Sequence, residues 1–256
     1  MKISIIQSDL AWEDKTCNFR KLGELISPLL NKTDIVVLPE MFNTGFSMNP
    51  ENLAESPKAE TFNWLLDAAR KGKFGICGSY IVKENEKYFN RWVFVTPEGT
   101  SWHYDKRHLF SMSGEDKYFS PGKSRMVFSF RGVRISPLIC YDLRFPVWSR
   151  IRNDCDMIIC AANWPESRKD VWDILLKARA IENQCYVAGV NRTGTDGAGI
   201  RYCGGSVIVD SRGTTITTAN QETEISVTGE ISMSDLSDFR NFFPVFNDAD
   251  KFEILL

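Results

Sequence analysis

An alternation along the chain does most to limit what it can fold into. Short apolar runs rich in Ile and Val are separated first by segments with helical spacing and later by tight turns. Residues 3–7 are a short apolar run, and 18–30 carry Phe19, Leu22, Leu25, Ile26 and Leu29 at helical intervals. DIVVLPE (34–40) is a second apolar run. A second helix is predicted over 58–71, with Phe62, Leu65, Leu66 and Ala69 on one face, and FGICGSYIV (74–82) predicts a third strand. Beyond it the spacing tightens. KYFNRWVFVTP and TSWHYDK flank Glu98–Gly99, a turn signal that predicts an antiparallel pair. Residues 124–140 predict a hairpin turning at Arg131–Gly132, and MIICAANW (157–164) predicts a buried strand. Ser167, with Asp170 three residues on, predicts the cap of a helix over 168–183. CYVAGVN, GSVIVD, TTITTA and EISVTGEI predict further strands.

This order predicts a layered α/β domain with sheets inside and helices outside, and the several hairpins call for two packed sheets. No repeat, linker or low-complexity segment interrupts the pattern, so the chain is expected to form a single domain over 1–256. A hydrophobic content of 43% supplies a sizeable core. The formal net charge of -2 provides no basic field for phosphates, which argues against a nucleic-acid partner. MKISIIQSDL is too short in its apolar part for a secretory signal, and no run approaches the length of a membrane span. The seven cysteines are odd in number, irregularly spaced and without a CxxC pair, which predicts free thiols in a reducing, cytoplasmic setting.

Three residues stand at places where chemistry concentrates. Cys140 ends the strand ISPLIC just before a turn and a short helix opened by Pro146, so its thiol is expected above the sheet. The remaining cysteines are expected within strands or helices, apart from Cys155 and Cys203 in loops. Glu40 closes DIVVLPE, and ligands of open α/β sheets bind outside strand C-terminal ends. Lys106 closes SWHYDK. Taken singly, each has an ordinary reading: a packed thiol, a solvated carboxylate, a surface lysine. His103 and His108 flank Lys106 without an HExxH pattern or a cysteine pair, which predicts no metal site.

Together they resemble the nitrilase, or carbon–nitrogen hydrolase, superfamily. The resemblance rests on LPEMFNTGF (38–46), YDKRHLF (104–110) and ICYDLRFP (139–146), supported by ANWP (162–165), KARAIENQ (177–184) and GGSVIVD (204–210), in family order over nearly the full length. It implies a four-layer αββα sandwich and a Glu–Lys–Cys triad, which by motif falls on Glu40, Lys106 and Cys140. A second family glutamate corresponds to Glu115, in SMSGEDKYF, expected to orient Lys106 or the substrate amine. The backbone N–H of Tyr141 is suited to hold an oxyanion with Lys106, and Phe46, Asn163 and Trp164 are expected to bind substrate. No cofactor is implied, and a homodimer is the common assembly.

Within the superfamily, ICYDLRFPVWSR and FRNFFPVFNDADKF (239–252) are similar to bacterial omega-amidases. That resemblance implies hydrolysis of 2-oxoglutaramate and 2-oxosuccinamate to the 2-oxo dicarboxylate and ammonia. Deaminated-glutathione amidases share much of CYDLRFP and are the alternative. A scaffold that kept only the fold, or a cysteine protease with a His partner, are readings from other classes. The strand ends are expected to gather Phe42, Phe46, Tyr118, Phe145 and Trp164 into a narrow apolar pocket, with Arg144, Arg168, Lys169 or Arg192 available to a substrate carboxylate.

Overall fold

The computed structural model describes residues 1–151 and 153–255. In chain order the first half contains β1 (Lys2–Gln7), α1 (Lys15–Ile26), β2 (Ile35–Val37), α2 (Pro50–Leu53), α3 (Glu60–Gly72), β3 (Gly75–Glu84), β4 (Lys87–Val95), β5 (Ser101–Asp105) and α4 (Glu115–Tyr118). The second half contains β6 (Phe128–Phe130), β7 (Val133–Ile139), α5 (Pro146–Ser149), β8 (Met157–Ala162), α6 (Lys169–Glu182) and β9 (Tyr186–Asn191). It closes with β10 (Thr193–Thr195), β11 (Arg201–Cys203), β12 (Val207–Val209), β13 (Thr215–Thr218), β14 (Ile225–Glu230) and α7 (Met233–Phe242).

Two six-stranded mixed sheets carry the fold, in the orders β14-β1-β2-β3-β4-β5 and β13-β12-β9-β8-β7-β6. Their centres are parallel, β1-β2-β3 in one and β7-β8-β9 in the other. Parallel strands covered on both faces read as continuous apolar runs, and the burial follows the two-residue period. Ile3, Ile5, Ile35 and Val37 pack into the layer shared with the second sheet, beside Ile135, Ile159 and Val187. The alternate residues Ile6, Val36 and Leu38 turn the other way, onto Leu22, Ile26, Phe62, Leu65 and Ala69 of α1 and α3. Trp172, Leu176 and Ala180 of α6 cover the second sheet. The result is the expected αββα sandwich.

Local chemistry explains most boundaries. The Asp14 side chain accepts the Cys17 N–H at 2.9 Å and starts α1 three residues earlier than the apolar spacing predicted. Arg131 and Gly132 both have positive φ, 46° and 81°, the conformation a two-residue hairpin turn requires. Ser167 does not cap α6: a 3₁₀ turn over Glu166–Arg168 precedes the helix, and Arg168 is its N-cap with no side-chain bond. The sequence reading also missed α7 and the β10–β11 hairpin, and Cys203 ends β11 rather than lying in a loop.

Candidate active site

The C-terminal ends of β2, β5, β7 and β8 converge on one edge of the sandwich. Glu40 follows β2 and is fully buried; Lys106 follows β5, whose pairing continues as the Lys106 N–H donates to the Asn90 carbonyl at 3.0 Å. Glu115 opens α4 immediately after Gly114, which has φ 77°. The Lys106 ammonium is locked between the two carboxylates, 2.8 Å from Glu40 Oε1 and 3.0 and 2.9 Å from the Glu115 oxygens. Glu115 is held further by the Phe110 N–H at 2.6 Å.

Cys140 stands directly after β7 with φ 44°, a left-handed conformation that a cysteine adopts at an energetic cost. The backbone is held there from beneath. A 3₁₀ turn runs Cys140–Arg144, and the buried Asp142 carboxylate in it accepts the Ile139 N–H, the Tyr104 hydroxyl and the His108 N–H at 3.1, 2.8 and 2.9 Å. The His108 ring Nδ1 lies 2.8 Å from the same carboxylate and the imidazole stacks on Phe145, with centroids 3.7 Å apart. Neither histidine faces the thiol as a base would. His108 supports the turn, which removes the partner a cysteine protease needs.

Asn163, at the end of β8, links the parts. Its N–H donates to Glu40 Oε2 at 2.9 Å, its side-chain amide donates to the Glu40 carbonyl at 2.7 Å, and its own carbonyl accepts the Cys140 thiol at 3.7 Å. Burial would lower the affinity of Lys106 for its proton, but Glu115 and Glu40 outweigh it and hold the ammonium well above the ordinary lysine range. Burial pushes the Glu115 carboxyl up; Lys106 pulls it back and Glu40 adds to the rise. Burial, and next the Glu40 charge, push the Cys140 thiol well above its usual range against a smaller opposing pull from Lys106. The resting thiol is therefore protonated, and a thiol in that state needs a base before it can act as a nucleophile.

Above these groups opens a cavity of about 320 Å³. Phe46, Tyr141, Asn163 and Trp164 line it, the Phe46 ring 5.0 Å from the Lys106 ammonium. Of the four basic candidates, Arg144 and Arg168 reach the cavity, their guanidiniums lying 5.1 Å from the Trp164 and Phe110 rings respectively. Lys169 instead pairs with Asp173, and Arg192 is buried against Asp9 at 2.8 Å and the Leu10 carbonyl at 3.0 Å. Three of the five predicted aromatic residues lie elsewhere. Phe42 packs between Trp64 and Tyr80 beneath the helical layer, Tyr118 is half exposed outside the cavity, and Phe145 backs the elbow. The walls the sequence reading missed are Trp12, Met48, Phe110 and, from the β10–β11 hairpin, Ile200 and Tyr202. Trp12 follows the C-terminal end of β1, so the strand-end rule applied to Glu40 points to it as well. Among the described residues no group of three or more His, Cys, Asp or Glu is arranged to hold a metal, and no helix is long and apolar enough to cross a membrane.

A profile of the carbon-nitrogen hydrolase family matches residues 2–241. The chain is 43% identical over 255 residues to the omega-amidase YafV of Yersinia enterocolitica, covering 100% of this chain and 99% of the relative. It is 35% identical to the 2-oxoglutaramate amidase of Bacillus subtilis, with 97% of each chain covered. A CN-hydrolase superfamily protein of Xanthomonas campestris, solved with an arsenic adduct in its active site, superposes with a TM-score of 0.95 at 38% identity, covering 99% of this chain and 98% of that one.

Proposed function

The chain belongs to the carbon–nitrogen hydrolase family, and from that premise we propose that it is an omega-amidase using Cys140 as nucleophile, Glu40 as proton carrier and Lys106 as oxyanion holder. The carrying observation is the ammonium fixed between two buried carboxylates beside a protonated thiol, on the floor of a cavity with two guanidiniums that have no carboxylate partner among the described residues. Glu40 takes the Cys140 proton as sulfur attacks the amide carbon. The oxyanion is stabilised by the Lys106 ammonium and the Tyr141 N–H, each donor contributing roughly 3 kcal/mol to lowering the barrier. Glu40 returns the proton to the departing nitrogen, ammonia leaves, and a thioester remains. Water, deprotonated by Glu40, attacks the thioester; the acid leaves and the thiol is restored. Glu115 keeps Lys106 charged and aimed. Every electrophilic role falls on a protein group, so turnover is expected to survive exhaustive chelation unchanged; loss in chelator, restored by one particular metal, would contradict this mechanism.

The name of the Bacillus subtilis relative points to 2-oxoglutaramate, and the cavity supports a short amide with a carboxylate at its far end. Among the described residues, Arg144 and Arg168 have no carboxylate within ion-pair distance, although both line the cavity, so a substrate anion is the partner they lack. The test is kcat/KM for 2-oxoglutaramate against a simple aliphatic amide of similar length, deaminated glutathione and the matching nitrile. The oxo-acid amide is expected to lead. Arg144→Ala and Arg168→Ala should each lower its kcat/KM by about 10- to 100-fold, the size of a charge-assisted hydrogen bond, while sparing the uncharged amide. If both variants match the wild type on 2-oxoglutaramate, the carboxylate assignment is wrong. A clear lead for deaminated glutathione would assign the chain to that branch.

The same reading carries a single domain, a homodimer and a cytoplasmic setting. The return of β14 beside β1 supports the first, exposed Ile174 and Ile181 on the outer face of α6 the second, and seven free cysteines the third.

A further inference from the structure

Asn90 lies in β4, buried, at the start of a stretch whose next members include the core residues Trp92 and Phe94. Its Nδ2 donates to Glu40 Oε1 at 2.8 Å and to Glu115 Oε1 at 3.2 Å. Its Oδ1 is buried and, among the described residues, has no hydrogen-bond partner. Turning the amide over would set a carbonyl oxygen against two carboxylates, so those carboxylates dictate the observed orientation and the orphaned acceptor follows from it. A buried acceptor left unpaired calls for a reason. Here the reason is charge: Lys106 brings one ammonium to two carboxylates, and both N–H groups of Asn90 are directed at the excess. The other titratable groups around the pair are Cys140 and Cys160, whose thiols add no positive charge.

We propose that Asn90 is a positioning residue for the hydrolytic reaction: its amide bridges Glu40 and Glu115, holds both carboxylates around Lys106, and commits Glu40 Oε1 so that Oε2 serves the thiol. Oε2 is the oxygen that accepts from the Asn163 N–H, and the Asn163 carbonyl accepts the Cys140 thiol, so base and nucleophile meet on that side. The proposal rests on Glu40 being the base. It adds a residue that touches neither substrate nor the reacting sulfur.

The test compares wild type with Asn90→Leu, which removes the donors at similar volume, and Asn90→Asp, which keeps the shape and adds a carboxylate. kcat and KM are measured against pH, alongside Tm. In parallel, the rate at which iodoacetamide alkylates Cys140 is followed against pH by mass spectrometry of its peptide, since Cys17 is also partly accessible. In Asn90→Leu, kcat should fall about 10- to 100-fold, the scale of a hydrogen bond to a charged group, with KM nearly unchanged. The acid limb of both profiles should move to higher pH, because the ionised pair has lost the donors that favoured it. Asn90→Asp should lose more activity, with the limb moved further. A lowered Tm with unmoved limbs would reduce Asn90 to a structural residue and overturn the proposal. If Asn90→Leu does not fold, the Asp variant decides by the same limbs. If the wild type hydrolyses none of the amides, the omega-amidase reading fails, and the alkylation limb still decides Asn90.

Discussion

Cys140→Ala is expected to abolish hydrolysis while leaving the fold in place. Removing the nucleophile of an acyl-transfer enzyme costs about 10⁶-fold in kcat. Here nothing nearby substitutes for it: the next cysteine along the sheet, Cys160, is buried in β8 with its thiol pushed up by burial. The stability side of the prediction is equally specific. The thiol faces the cavity rather than the core, and the left-handed backbone at φ 44° is imposed by the Asp142 anchor beneath it, which the substitution does not touch. Alanine meets the same backbone cost as cysteine. The destabilisation should stay under about 1 kcal/mol, equivalent to a Tm shift of less than about 4 °C for a chain of this size. Turnover near the wild-type rate in a folded Cys140→Ala protein would end the thioester mechanism. Asp142→Ala, by contrast, should lose the turn itself, because the Tyr104 hydroxyl and two backbone N–H groups would be left without their acceptor.

The sequence revealed the strand ends because that information is local. A run such as DIVVLPE announces both a buried parallel strand and the carboxylate at its tip, and ISPLIC does the same for the thiol. What it could not reveal depends on which way a side chain turns once two layers have closed. Phe42 is two residues beyond Glu40 and four before Phe46, yet it points into the helical layer while Phe46 points over Lys106. Arg144 and Arg192 look alike as cations; one stacks on Trp164 at the cavity, and the other is drawn under the surface by Asp9 and the Leu10 carbonyl, both from a distant segment. Asn90 was invisible for a related reason. In KYFNRWVFV it is one of two adjacent polar residues before an apolar run, and only the pairing of β4 with β5 sets it beside Lys106, between two glutamates from elsewhere in the chain.

Glu40→Gln is expected to lose more than its base. General-base contributions run about 10² to 10⁴-fold, and the proposed mechanism gives Glu40 a proton to handle in both half-reactions, so kcat should fall by about 10³-fold or more. The environment adds a second effect that a carboxylate-to-amide change usually lacks. Among the described residues, every group touching the Glu40 oxygens is a donor: Lys106 and Asn90 on Oε1, the Asn163 N–H and side-chain amide on Oε2. A glutamine must aim its own NH₂ at one of those sets, donor against donor, and leave a buried partner unpaired, at a cost of about 1 to 3 kcal/mol. Activity and Tm should therefore fall together in Glu40→Gln, whereas Cys140→Ala loses activity alone. Lys106 would also keep only one counter-carboxylate, so the shared site would hold the ammonium less firmly as well as lack the base. The contrast is checked by measuring single-turnover rates and melting curves for both variants side by side. A Glu40→Gln enzyme that melts like the wild type would mean that the donors around Glu40 can turn away. One that also retains a large share of kcat would leave Glu40 a structural carboxylate and require another base for Cys140.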